Sequence, residues 1–437
     1  MMSFSDNETS GFAIATALPL DGSVRIADAN EKANSTRWSE RALDGVTFFL
    51  ADVADGLGPF LVIDLTSRRG WSSSDAGIAL ALMLVGTVIS QAFVGAWIDR
   101  TRYKRLAISV AAATVAMTSI ALYYAPDRLT VYSLQFITGA VVTVFPPAIA
   151  AISLGLVGRD RLAKRAGRNE ACFHAGNVVS AGLAIVAVQY GGAIGVFYGV
   201  AAMAIASAIS AQLIQERDID HQLARGADGP ADQMNIMSIR ELLSNKHLLW
   251  FVASVVLFHF ANAAMLPLVG QKVGRLHPSE APKLMAICII VAQVVMVPVA
   301  LLASRGAILG RRWVFLIGFA ALPIRGILYT LTDSSTLLIA NQILDGIGAG
   351  IFGVVALLVM ADLTRGTGRF NFAQGITATA IGLGAAASNS ITGIIVDRGG
   401  YNAGFWFLSL VAVIALATFA ITVPEVNTET TSVPTNR

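Results

Sequence analysis

The stretch Gly95-Ala96-Trp97-Ile98-Asp99-Arg100-Thr101-Arg102-Tyr103-Lys104-Arg105 decides how this chain is read. An apolar segment of helix length ends in it, and a second begins at Leu106. Between them lies a dense basic turn. Gly95 leaves room for two helices to approach closely, as packing in lipid requires. The Arg and Lys residues hold such a turn on the cytoplasmic side of a membrane. Asp99 stands at a helix end, where a carboxylate can accept hydrogen bonds or face the N-terminus of a neighbouring helix.

The same alternation of apolar segment and short charged join runs through the chain. Of its 437 residues, 55% are hydrophobic and 14% charged, and the mean hydropathy is +0.66. Soluble domains carry about 25% charged residues, so composition alone indicates a membrane protein. The net charge of +3 gives no case for nucleic acid, because the basic residues sit in short loops between apolar runs. Cys172 and Cys288 lie far apart in apolar runs and suggest neither a disulfide framework nor a metal site. There is no Walker loop, so ATP is not expected to drive the protein, and no cofactor is expected. No nucleophile–base set appears either, so no catalytic residue is assigned and an enzyme is not expected.

A membrane crossing needs about 20 apolar residues. Twelve such spans are expected, at 43–64, 76–98, 105–124, 129–155, 170–190, 193–214, 247–270, 282–303, 312–331, 336–361, 372–396 and 402–423. Loops on the side of the Asp99 turn hold fourteen Lys and Arg residues against seven on the other side. The first set is therefore expected in the cytoplasm, together with both termini. Residues 1–42 and 424–437 read as cytoplasmic tails, 43–214 and 247–423 as two six-helix bundles, and 215–246 as a cytoplasmic linker. Within the linker, Ile236, Ile239, Leu242 and Leu243 recur at helical spacing, which predicts an amphipathic helix at the membrane surface.

The halves repeat. A shift of 207 carries Lys104 and Arg105 onto Arg311 and Arg312, and Gln135 and Gly139 onto Gln342 and Gly346. Near the end the shift becomes 208, and Gly191, Gly192 and Phe197 map to Gly399, Gly400 and Phe405. Gly306 stands at the counterpart of Asp99, so the basic turn is degraded in the second half.

The Gly95–Arg105 turn resembles the loop between helices 2 and 3 of the major facilitator superfamily, G-x-L-A-D-R-x-G-R-K/R. Gly95, Asp99, Arg100, Lys104 and Arg105 fit, whereas Arg102 replaces the usual second glycine and Tyr103 a common basic residue. The resemblance implies an all-α membrane protein of twelve transmembrane helices in two six-helix pseudo-repeat bundles. It also implies that these five residues form a conformational latch between the halves. The plainer alternative is a basic loop that only sets orientation.

Polar groups within spans are costly and each needs a reason. The first span carries Asp52 and Asp55, the fourth Gln135 and Thr138, the seventh His259 and Asn262, and the tenth Gln342 and Asp345. Each pair is spaced i, i+3 and lies on one helix face. The shift of 207 relates all four pairs. In the superfamily, helices 1, 4, 7 and 10 line the central cavity, so the eight residues are expected to form a substrate and proton cavity. Hydrogen bonds between helices are the alternative. Arg325 in the ninth span is expected to form an ion pair with Asp345, neutralising both charges in a poor solvent for ions. Asp52 and Asp55 would then titrate as a coupled pair, the chemistry proton coupling needs. His174 and Asn177 read as packing elements at the gating end of the fifth span.

The resemblance is weaker at the level of substrate. Many proton-driven drug antiporters carry an arginine where this chain has Gln135, and a Gly-Pro element that its fifth span lacks. The function expected is proton-coupled efflux of a small organic compound by alternating access. The partners expected are a small-molecule substrate, protons and the lipid bilayer of the inner membrane, with the protein a monomer. Uptake of a nutrient or siderophore-like chelate is the first alternative, and a transport-inactive membrane sensor the second.

Overall fold

The computed structural model describes residues 36–51, 53, 57–227, 236–276 and 281–424. Asp52 and Asp55 lie outside the described residues, as do most of the two tails. Among the described residues all regular structure is helical. In chain order the α-helices are α1 (36–51), α2 (Gly58–Ile63), α3 (Ser73–Arg100), α4 (Lys104–Tyr124) and α5 (Arg128–Val142). Then come α6 (Phe145–Gly191), α7 (Ala193–Leu213), α8 (Ile239–Leu242), α9 (Lys246–Ala263) and α10 (Met265–Leu276). The chain ends with α11 (Ala281–Leu309), α12 (Arg311–Leu328), α13 (Ser335–Ala340), α14 (Gln342–Leu363) and α15 (Phe370–Thr422).

Among the described residues, eight helical stretches are long and apolar enough to cross a membrane. Two of them, Arg128–Gly191 with 64 residues and Phe370–Thr422 with 53, are far too long for one crossing of about 20 residues. Each is two spans, divided at Gly158 (φ 70°) and Gly400 (φ 76°). α1 with α2 supplies the first span, and α12, which carries three arginines, the ninth. Twelve spans in two bundles result.

The fourth span is interrupted at Thr143 and Val144, because Pro146 and Pro147 lack the N–H that an internal helical turn would need. The seventh span is interrupted at Ala264 and the tenth at Asn341. The repeat is visible in backbone and packing alike. Gly192 (φ 64°) and Gly400 (φ 76°) turn the chain at equivalent places in the two halves, in a conformation few side chains tolerate. Phe197 and Phe405, five residues on, are both buried.

Each half has its own core. Leu43, Val46, Ile108, Ala112, Ala148 and Ile152 pack in the first. Eight buried phenylalanines dominate the second, with Phe319 stacked on Phe419 at 5.0 Å between ring centroids. Lipid supplies little hydrophobic drive between helices, so this close ring packing carries the association.

The linker differs from the expectation. Its helix, α8, is a single turn of four residues closed by a capping box between Ser238 and Glu241. Leu242 is buried, but Ile236, Ile239 and Leu243 are exposed. With so short a helix, only Leu242 reaches the core. The upstream segment is the part that docks: Ile219 and Ala224 are buried, and the Asp220 N–H donates to Gly155 O at 3.0 Å.

Candidate functional site

The two halves meet along spans 2 and 11 and along spans 5 and 8. At the basic end, Asp99 closes α3 and is buried. Its carboxylate accepts from Asn371 N (3.0 Å), Asn371 Nδ2 (2.8 Å) and Phe372 N (2.9 Å). Those N–H groups belong to the first turn of α15, where a helix leaves its donors unsatisfied and carries partial positive charge. The carboxylate therefore caps a helix of the opposite half. Gly95 makes the approach possible, since a Cβ there would lie 2.3 Å from Asn371 O. The reciprocal contact is Gly375, whose Cβ would lie 2.4 Å from Gln91 O.

The other residues of the turn do different work. Lys104 is buried and donates to Thr101 O at 2.6 Å. Arg105 pairs with Glu216 at 2.6 Å and donates to Gln212 O and Ile214 O, satisfying carbonyls at the C-terminus of α7. Arg100 is exposed. Only Gly95 and Asp99 of the five reach across the halves in these contacts. The linker joins them: Asn371 Nδ2 also donates to Ala224 O, and the Gly366 N–H to Gly226 O. Arg159 donates to Ala361 O at 2.9 Å, a further tie between the halves.

A cavity of about 650 Å³ lies between the halves. Its walls are mostly apolar, from Leu50, Met83 and Ile149 on one side to Phe251, Phe352 and Ile381 on the other. Polar groups enter it sparsely, through Thr87, Gln91, Asn169, Glu170, Gln374 and Thr377.

The predicted pairs lie elsewhere. Gln135 is buried. Thr138 donates to Thr118 Oγ1 at 2.8 Å, within the first half. His259 packs against the rings of Phe258 and Phe352. Asn262, Gln342 and Asp345 gather around Arg325 within the second half. Arg325 Nη1 donates to Asp345 Oδ1 at 2.5 Å and Asn262 Oδ1 at 2.6 Å, and Nη2 donates to Gln342 Oε1 at 3.4 Å. Arg325 Nε and Gln342 Nε2 both donate to the Tyr329 hydroxyl. None of Gln135, Thr138, His259, Asn262, Gln342 and Asp345 is among the residues lining this cavity. For Asn262, Gln342 and Asp345 the reason is the arginine: a guanidinium buried in the bundle draws these acceptors toward itself rather than toward an open space.

Sequence reasoning missed Glu170 and Gln293. The apolar run of the fifth span begins at Glu170, whereas α6 continues through it from Gly158, about three turns earlier. One signal was available. The shift of 207 carries Glu170 onto Thr377, which also lines the cavity. Gln293 of α11 meets His174 Nδ1 at 2.7 Å and Asn177 Nδ2 at 3.4 Å, across the seam between spans 5 and 8.

A family model described as Major Facilitator Superfamily matches residues 45–309 and 306–435. Two proteins of Mycobacterium tuberculosis, each described as an uncharacterized MFS-type transporter, are 43% identical to this chain over 388 residues, covering 88% of it and 93% of their own length. Among solved structures, the chain resembles the proton:xylose symporter XylE bound to 6-bromo-6-deoxy-D-glucose, with a TM-score of 0.68 over 91% of this chain and 97% of that one. The identity there is 15%, so that likeness is one of fold. Family match, relatives and fold agree over nearly the whole length: the chain belongs to the Major Facilitator Superfamily, as a multi-pass membrane transporter.

Proposed function

We propose that the protein is a proton-coupled exporter of a small organic compound, working by alternating access in the inner membrane as a monomer. Both termini and the basic turn lie in the cytoplasm in this reading, as the excess of Lys and Arg in those loops favours. The observation that carries it is the cavity of about 650 Å³ between the halves, with the halves tied together at the basic end. That volume suits a small organic molecule, and apolar walls with a few polar groups suit its recognition. Closure at the cytoplasmic end describes a state ready to exchange with the other side. Asp52 and Asp55 are assigned as proton carriers, two carboxylates one helical turn apart in the first span. No catalytic group or cofactor belongs to the reading, since an ion gradient supplies the work.

The test is transport into proteoliposomes of the full-length protein under an imposed pH gradient, with a panel of neutral and cationic organic compounds. Accumulation that follows proton movement in the opposite direction supports export by exchange. Asp52→Asn and Asp55→Asn should each abolish gradient-driven accumulation while substrate binding stays measurable. If both, and the double variant, still concentrate substrate with an unchanged pH dependence, the proton carrier lies elsewhere, with His259 the next to test. Accumulation in the direction of the proton would replace export by uptake.

A further inference from the structure

Glu170 is the one carboxylate among the described residues that line the cavity. It projects from α6 against the backbone of α14, where a Cβ on Gly353 would lie 2.4 Å from Glu170 Oε2. The missing side chain at Gly353 is what gives the carboxylate its place. The same cavity is lined by Phe173 and Phe352 and by the neutral polar groups of Asn169, Gln91 and Gln374. No lysine or arginine pairs with it among the described residues. Its titratable neighbour is His174, one turn along the same helix, with Nε2 3.6 Å from Glu170 Oε2. His174 Nδ1 in turn meets Gln293 of the opposite half at 2.7 Å. From α11 the group facing this pair is thus a neutral amide, from α14 a bare backbone, and from α15 the neutral Gln374 and Thr377.

A carboxylate without a fixed cation, in a largely apolar chamber, lacks the partner that would offset its desolvation. Two species can supply the missing positive charge, a proton or a cationic ligand. The walls decide which ligand. A strongly hydrated inorganic ion gains nothing from Leu50, Phe173 or Phe352, whereas an organic cation with an apolar body is served by both. We infer that Glu170, beside His174, is the charged pole of the cavity and binds the positive group of an amphipathic organic cation, in competition with protons. This rests on the reading of the cavity as the substrate site and names the substrate class that reading left open. The position adds a consequence. Glu170 and His174 lie at the seam that Gln293 closes, so the occupant of the carboxylate acts directly on a contact between the two halves.

The experiment is equilibrium binding of tetraphenylphosphonium to the purified full-length protein in detergent, beside the neutral triphenylphosphine oxide. Cation affinity should rise with pH, as protons leave Glu170 and His174, while the neutral compound responds little. Glu170→Gln should weaken cation binding by about tenfold or more at the alkaline end and flatten its pH dependence, leaving the neutral compound unchanged. Glu170→Asp keeps the charge and should retain most of the affinity, which separates lost charge from lost folding. His174→Gln should leave a pH dependence carried by Glu170. The inference is overturned if wild-type protein does not bind the cation, if Glu170→Gln binds it with the same affinity and pH dependence, or if the pH dependence disappears in His174→Gln and persists in Glu170→Gln. The export reading fails separately: Glu170-dependent binding without any gradient-driven movement in proteoliposomes would overturn export and leave this site standing.

Discussion

Asp99 and Asn371 are 272 residues apart in sequence, yet the carboxylate of the first accepts both the backbone N–H and the side-chain amide of the second. The contact is buried. It joins the last turn of α3 to the first turn of α15, so separating the two halves at the basic end must break it. A carboxylate at a helix N-terminus gains from both the unsatisfied donors and the helix dipole. Whatever state exposes the cavity to the basic end leaves those donors to water.

Asp99→Asn keeps the shape and removes the charge. Hydrogen bonds to charged groups contribute about 1.5–3 kcal/mol each, against about 1 for neutral ones. The variant should therefore favour separation of the halves by about 1–3 kcal/mol, a shift of roughly 5- to 150-fold in population. Cysteine labelling of positions near the basic end should rise, with expression retained and transport reduced. Unchanged labelling would remove Asp99 from the latch.

Gly95→Ala tests the same seam by sterics. The added Cβ would sit 2.3 Å from Asn371 O, and that neighbour is backbone that cannot swing away. The helices must part, although Asp99 is untouched. Distances measured by spin labels across α3 and α15 should lengthen at the basic end. If they stay as in the wild type, the close approach is not needed for closure.

The Arg325–Asp345 pair predicts an asymmetric double-mutant cycle. The Arg325 side chain is 1% exposed and the Asp345 side chain 14%. Removing Asp345 strands a buried guanidinium, so Asp345→Leu should cost about 3–5 kcal/mol or prevent folding. Arg325→Leu should cost less, because the carboxylate is less deeply buried than the guanidinium. The double variant should recover much of the loss. Thermal unfolding in detergent reads all three, and a double variant no better than Asp345→Leu would mean that the pair is not coupled.

His221 predicts an acid-sensitive linker. Its Nε2 lies 2.8 Å from Glu216, which also accepts from Arg105. Burial pushes the His221 pKa below its ordinary value, Lys104 and Arg102 add to the fall, and Glu216 opposes it. A histidine lowered in the folded state favours folding while neutral. Its contribution is present above the ordinary histidine value of about 6.5 and is lost as pH falls through the lower folded value. The protection of amides around Ile219 and Ala224 against hydrogen exchange, relative to their intrinsic rates, should therefore fall below about pH 6.5. His221→Gln should flatten that response. An equal loss of protection in the variant would assign the acid sensitivity to another group.

Reading the chain alone was sufficient for the spans, their number and the repeat. These depend on local properties: an apolar stretch of membrane length, a basic join, a glycine turn recurring after a fixed interval. Gly192 and Gly400 could be paired from sequence because the backbone conformation they permit is local. Asp99 could be marked as a carboxylate at a helix end for the same reason. What it caps could not be read, because Asn371 reaches it only when two bundles pack. The polar pairs show the limit most plainly. Spacing placed Gln342 and Asp345 on one helix face, but the direction of that face was set by Arg325 on another helix. Glu170 was hidden in the opposite way, as a polar residue at the edge of an apolar run that packing turned inward against Gly353. Periodicity fixes which residues share a face. Only the rotation of each helix against its neighbours, decided by side-chain fit and by the satisfaction of buried charge, determines what that face meets.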